Sequence, residues 1–268
     1  MKGFYFIRLF AITLYLLLAV AGVFAQTESD ECRMPDGTAG KDVVWVPTPQ
    51  MTVDTMLDMA KVTPSDYVID LGSGDGRTVI TAAKRGTTAM GIEYDPERVA
   101  FAKCDAARKG VTAKATFVKA DLFETDFSKA TVITMFLLPD INMRLRPKIL
   151  DMKPGTRVVS VEFDMDDWKP DQTTRLENCS RWCTAFLWIV PEKVDGTWKL
   201  DNGQIKFEQE FQEITGTLTQ NGKDLKLTGK LDGNKISFNA GGTEYTGTVS
   251  GNTISGTHAG SGSWKATR

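Results

Sequence analysis

Between Tyr67 and Ile80 the chain reads Tyr-Val-Ile-Asp-Leu-Gly-Ser-Gly-Asp-Gly-Arg-Thr-Val-Ile, and this stretch limits the possible folds more than any other. Tyr67, Val68 and Ile69 are β-branched or aromatic and suit a buried strand. Gly72, Gly74 and Gly76 then let the backbone turn tightly and approach a ligand with no Cβ in the way. A helix starting near Arg77 turns its unpaired N–H groups and positive dipole end toward whatever polar group lies over the glycines. Strand, glycine loop and helix in this order are the opening of a unit that holds a nucleotide-like cofactor.

Departures from the better-known glycine motifs narrow the cofactor. Arg77 stands where a dinucleotide fingerprint needs its third glycine, and no Gly-Lys-Ser/Thr follows as a P-loop requires. Asp70, two places before Gly72, together with the Gly-Ser-Gly-Asp-Gly run, instead resembles motif I of the class I S-adenosylmethionine (SAM) methyltransferases. The resemblance implies that Asp70 lies near the methionine amino group of SAM and that Gly72, Ser73, Gly74 and Gly76 line the cofactor.

Strand and helix patterns alternate on both sides of this loop. A helix is expected from about Gln50 to Ala60, with Val53, Met56, Leu57 and Ala60 on one face. Beyond it, strands are expected at Val68–Leu71, Ala89–Glu93, Ala115–Ala120, Thr131–Leu137, Arg157–Phe163 and Thr184–Val190, and helices at Arg77–Arg85, Pro96–Lys109 and Asn142–Met152. This alternation argues an α/β, doubly wound, Rossmann-like parallel sheet with helices on both faces, whose ligand sits past the strand ends where strand order reverses. Glu93 ends the second strand about 20 residues past the glycine loop, where a carboxylate accepts both ribose hydroxyls. Asp95, before Pro96, suits a helix cap. Asp121 follows the third strand, where the methyltransferase resemblance implies a hydrogen bond from the adenine amino group, with Leu122 and Phe123 against the base.

Further runs resemble a particular group: Val46-Pro47-Thr48-Pro49, Ala120-Asp121-Leu122-Phe123, Leu137-Leu138-Pro139 and Lys153-Pro154-Gly155-Thr156-Arg157-Val158-Val159-Ser160. Together with motif I they resemble the bacterial and mitochondrial lysine methyltransferases whose mitochondrial members modify the ATP synthase c subunit and the adenine nucleotide translocase. The likeness covers residues 43 to about 170. It implies SAM as donor, a protein lysine as acceptor and work close to membranes. The Val46–Pro49 run, Thr48 included, would cover the cofactor. A lysine must shed its proton before it can accept a methyl, and a desolvating aromatic channel favours the neutral amine; Trp45 and Phe136 are the candidate walls. The chain lacks the Asn/Asp-Pro-Pro-Tyr/Phe signature of amide and base-nitrogen methylation.

Residues 1–25 carry Lys2, Arg8, no acid and an apolar run from Leu9 to Ala25, which reads as a secretory signal peptide or, alternatively, a membrane anchor. Either places the remainder outside the cytoplasm, periplasmic or secreted after cleavage. A flexible leader is expected at 26–42 and the methyltransferase domain at 43–192. The formal net charge of −2 and a pI of about 5.6 supply no basic field for nucleic acid. Cys179 and Cys183 would close a small ring in an oxidising compartment. With a single His, His258, a Cys/His metal site and a histidine general base are both disfavoured. Asp164, Asp166 and Asp167 read as a solvated loop.

Composition changes from Gly196 to Arg268, where 13 of the 24 glycines fall and turn signals separate short alternating runs. A small all-β antiparallel barrel or sandwich of six to eight strands is expected there, with Trp198 and Trp264 at its two ends. One tension remains at this stage, because SAM is made in the cytoplasm. The competing expectation is therefore an exported, noncatalytic binding protein that reuses a methyltransferase fold.

Overall fold

The computed structural model describes residues 32–34, 37, 40–42, 44–259 and 262–268. The expected signal peptide lies outside the described residues, as does much of the leader. Helix α1 (Gln50–Met59) precedes β1 (Tyr67–Leu71), α2 (Arg77–Lys84), β2 (Thr88–Glu93), α3 (Pro96–Arg108) and β3 (Ala115–Lys119). Then come β4 (Val132–Met135), α4 (Pro139–Leu150), β5 (Arg157–Val161), β6 (Gln172–Arg175) and β7 (Thr184–Ile189).

Alternation along the strands explains the layers. Val68, Val132, Val159 and Val161 point to one face, where α1, α2 and α3 bring Val53, Leu57, Val79 and Ala102. Ile69, Leu71, Ile133 and Met135 point to the other, where α4 brings Ile141, Leu145 and Ile149. Both faces are covered, so the central strands are apolar on both sides. Strand order is β3-β2-β1-β4-β5-β7-β6, parallel through β5 and antiparallel for β7 and β6. The order reverses between β1 and β4, which puts the glycine loop after β1 at the switch point.

Several expectations need correction. Helix α4 begins at Pro139, three residues before the expected Asn142, because a proline at the first helical position lacks only an N–H that would be unpaired anyway. β6, with sequence Gln-Thr-Thr-Arg and mostly exposed, carries no apolar alternation and was not expected; it is an antiparallel edge strand. β5 ends at Val161 because Glu162 turns the chain at φ 63°. The leader is not free at Cys32, which is disulfide-bonded to Cys104 on α3. Asp95 does cap α3, accepting from the Glu97 N–H at 2.9 Å.

The C-terminal strands are β8 (Gly196–Leu200), β9 (Gly203–Glu210), β10 (Glu213–Gln220), β11 (Lys223–Asp232), β12 (Lys235–Ala240), β13 (Thr243–Ser250), β14 (Thr253–His258) and β15 (Gly262–Thr267). They form an up-and-down barrel closed where Thr267 meets Lys199. Inward positions mix glycines with large rings in register: Phe207 opposes Gly216, Phe238 opposes Gly229 and Trp264 opposes Gly256. A Cβ at Gly256 would stand 1.9 Å from the Thr246 carbonyl oxygen, and one at Gly229 would meet Phe238 Cβ at 2.4 Å. These glycines thus let neighbouring backbone approach closely, and the interior is filled by side chains. Trp198 and Trp264 belong to this filling: Trp198 is fully buried and donates to Val194 O at 2.7 Å, while Trp264 packs edge-on against Phe238.

The barrel docks on the α4 face through its β9–β10 turn. Phe211, at φ 53°, stacks on Trp168 at 5.9 Å, and Arg146 lies 5.3 Å over its ring. Gln212 is buried; its side-chain oxygen accepts from Trp168 Nε1 at 2.8 Å and its nitrogen donates to Lys169 O at 2.8 Å.

Candidate active site

Past the C-terminal ends of β1, β2, β3 and β4 lies a cleft of about 940 Å³, its open mouth included. The glycine loop forms its floor. Gly72 and Ser73 both donate to the Ile92 carbonyl, at 2.9 and 3.0 Å, which ties the loop to β2. Gly74 sits directly beneath the Trp45 indole, where any Cβ would come within 2.2 Å of Nε1. Gly76 is the left-handed N-cap of α2, and a Cβ there would strike Phe117 at 2.7 Å and Ala102 at 2.8 Å. Of the expected loop residues, Gly72 and Ser73 line the cleft, whereas Gly76 serves the packing of α2 against α3 and β3.

The three expected acids face this one cleft. Asp70 is buried, accepts from Thr134 Oγ1 at 2.6 Å, and has its pKa raised to about 7, mainly by burial and further by Asp75 and Glu93. Glu93 accepts the Gly74 N–H at 2.8 Å and the Asp95 N–H at 3.0 Å, leaving lone pairs for further donors. Asp121 accepts the Phe123 N–H at 2.9 Å and an ion pair from Lys41, and these two contacts hold its carboxyl below the usual range. Leu122 and Thr48 also line the cleft.

Several contributors were not foreseen. Arg77, noticed only as a departure from a dinucleotide motif, grips Asp75 in a fork and donates to Thr48 O at 2.8 Å, so the Val46–Pro49 segment is fastened to the glycine loop. Lys41 reaches Asp121 and lies 5.0 Å over the Tyr94 ring. No local pattern could signal that pair, which joins residues 80 apart. Trp45 is 5.3 Å from the Arg98 guanidinium and rests on Gly74, and it lines the same cleft as Phe136. Phe136 follows β4 on the opposite wall, with Met135, Leu137 and Ile141. His258 is in the barrel, on β14, and Asp167 pairs with Arg146.

The residues present fit SAM. Among the described residues, Asp70 is a buried carboxyl with no cationic partner of its own, and it lines the cleft. A ligand bearing an ammonium satisfies it, which an apolar ligand would not.

A doubly wound sheet with its switch-point glycine loop and an acid at or just past the C-terminal end of each of three strands defines a class I SAM-dependent methyltransferase. The ANTKMT methyltransferase domain family matches residues 70–172. A protein-lysine N-methyltransferase of Saccharolobus islandicus (strain REY15A) is 45% identical over 153 residues, 56% of this chain and 95% of that protein. The Homo sapiens lysine N-methyltransferase of the ATP synthase c subunit is 31% identical over 173 residues, 64% of this chain and 70% of that protein. Among solved structures, an RNA methyltransferase from Salinibacter ruber in complex with S-adenosyl-L-homocysteine is 46% identical, with a TM-score of 0.53, covering 56% of this chain and 96% of that one. The chain belongs to this family of SAM-dependent methyltransferases.

Proposed function

We propose that this enzyme methylates the ε-amino group of a protein lysine. The observation that carries the reading is the apolar acceptor wall, Met135, Phe136, Leu137 and Ile141, facing the floor that holds Asp70 and Ser73. An amine entering against such a wall loses hydration and with it the stability of its charged form. The 45% identity to a lysine N-methyltransferase supports the same acceptor.

When bound, SAM supplies an electrophilic sulfonium methyl, which passes in line to the amine lone pair as the carbon–sulfur bond breaks toward a neutral thioether and the amine's proton goes to water. The chain's own part is placement. Asp70 and Ser73 hold the amino-acid end, Glu93 the ribose hydroxyls, and Asp121 with Leu122 the base. Trp45 and Thr48, fastened through Arg77, exclude water over the loop. We further read residues 43–192 as the catalytic unit and 196–268 as an appended β domain. On this reading the enzyme works outside the cytoplasm after export, or at a membrane through the N-terminal segment, and the two disulfides are what supports an oxidising compartment.

The test is incubation with methyl-tritiated SAM, lysine-bearing peptides and total RNA. Label recovered as methyl-lysine from acid hydrolysates supports the reading. Label in RNA alone moves the acceptor to nucleic acid, as the name of the Salinibacter ruber relative would have it. A folded sample that binds neither SAM nor its demethylated product leaves the exported binding protein.

A further inference from the structure

The acceptor wall does not stop at Phe136. Phe163 stacks on it with ring centroids 6.4 Å apart, and Trp182 packs against it at 5.2 Å, tilted by 58°. All three rings are half-buried, so a continuous aromatic face runs outward from the cleft. Phe163 is fixed by its carbonyl, which accepts from Ser160 Oγ at 2.6 Å and Asn142 Nδ2 at 3.2 Å.

Trp182 is held differently. It lies in the ring closed by Cys179 and Cys183, at φ 58°, a left-handed conformation that a bulky side chain adopts only when its surroundings impose it. Its carbonyl accepts from Thr52 Oγ1 on α1 at 3.0 Å. A disulfide one residue away and an anchor to the first helix together hold an otherwise disfavoured backbone, and their product is the indole's position against Phe136. Strain of this kind collects where a side chain must be aimed.

We propose that Trp182, aimed by the Cys179–Cys183 ring, is the outer wall of the acceptor channel and contacts the butyl chain of the incoming lysine. Trp182 is thus a positioning and specificity residue, and the ring makes its placement depend on oxidation. This rests on the lysine methyltransferase reading. The face Phe136–Phe163–Trp182 takes the methylenes and a neutral amine; the proton is left to water at its mouth. Cofactor contacts are untouched, since none of the three acids bonds to this face.

The test is calorimetric and needs no turnover. S-adenosyl-L-homocysteine (SAH) is compared with an analogue in which the sulfur is replaced by nitrogen bearing a 4-aminobutyl arm, so that the arm lies where a lysine side chain would. The mature chain is expected to bind the armed compound at least tenfold more tightly than SAH. Trp182→Ala is expected to cut that advantage below threefold with SAH affinity unchanged, and Trp182→Phe to keep most of it. The Cys179→Ser/Cys183→Ser variant should fall between them. An equal advantage in Trp182→Ala, or none in the parent, overturns the channel; a full advantage in the cysteine variant overturns the role of the ring. Failure of the parent to bind SAH at all instead removes the methyltransferase reading on which the inference rests.

Discussion

The sheet domain and the barrel treat buried polarity in opposite ways. Asp70, Ser73, Thr78, Arg98, Thr134, Asn142 and Ser160 are all buried in the sheet domain, whereas the one buried polar side chain among the described barrel residues is Gln212, at the junction. A buried polar group without a partner costs about 1–3 kcal/mol, so a fold keeps such groups only where something uses them. In the sheet domain Asp70, Ser73, Thr78 and Arg98 line one cleft. In the barrel the interior is filled by apolar and aromatic side chains, which is what a chain does when it has only itself to satisfy.

Perturbing Asp70 should break this contrast most visibly. Its folded pKa of about 7 lies above the unfolded carboxylate value, so the fold prefers the protonated form. The resulting stabilisation is fully present below the unfolded pKa near 4 and is lost as pH rises to 7. Over that window the loss is of order 4 kcal/mol at most. Asp70→Asn is expected to remove this dependence, leaving the variant more stable than the parent at pH 8 in urea titrations. The same variant should bind SAM about 100-fold more weakly, as loss of a charged hydrogen bond implies. SAM affinity of the parent should strengthen as pH rises through 7, because the ionised carboxyl is the form that an ammonium selects.

Gly256→Val tests the other side of the comparison. The added atoms meet the Thr246 carbonyl and the Gly247 backbone, so a loss of about 3 kcal/mol is expected, read as a lower thermal midpoint with SAM affinity unchanged. Gln212→Ala strikes the junction. It strands the Trp168 indole N–H and the Lys169 carbonyl and should cost about 2 kcal/mol. Two unfolding steps for this variant in a denaturant titration, against one for the parent, would show that the junction couples the domains. The smallest effect belongs to Lys41→Ala, which frees the half-buried Asp121 carboxylate and should raise SAM affinity about two- to fivefold by calorimetry. A drop in affinity would show that Lys41 holds the cofactor and does not compete with it.

The same contrast governs how much was legible in the sequence. Asp70, Glu93 and Asp121 could be found because a doubly wound sheet brings the ends of β1, β2 and β3 to one edge, so that position after a strand implies position in the cleft. The barrel's existence could be read from glycine turns and alternation, and its closure from neither. What escaped detection depends on pairs far apart in the chain: Lys41 with Asp121, Arg77 with Thr48, Trp182 with Thr52. The β9–β10 turn escaped for another reason. Its left-handed residue is Phe211, which carries no turn signal and is driven into that conformation by stacking on Trp168. The contact of Trp45 with Gly74 escaped for the same reason as the distant pairs, since the two residues are brought together only by the fold.

Closure of the barrel by β15 against β8 also sets an order of events during synthesis. The sheet domain is complete once β7 has emerged, but the barrel cannot seal until the last strand is made, and its closing contact spans nearly the whole module. Pairings so distant in sequence form slowly. In the interval the nascent sheet domain presents Trp168 without the Phe211–Gln212 wedge, a sticky aromatic surface of the kind that invites premature association. Vectorial folding therefore gives the final strand a duty beyond its own barrel: its arrival ends the period in which the catalytic half is exposed to misassembly.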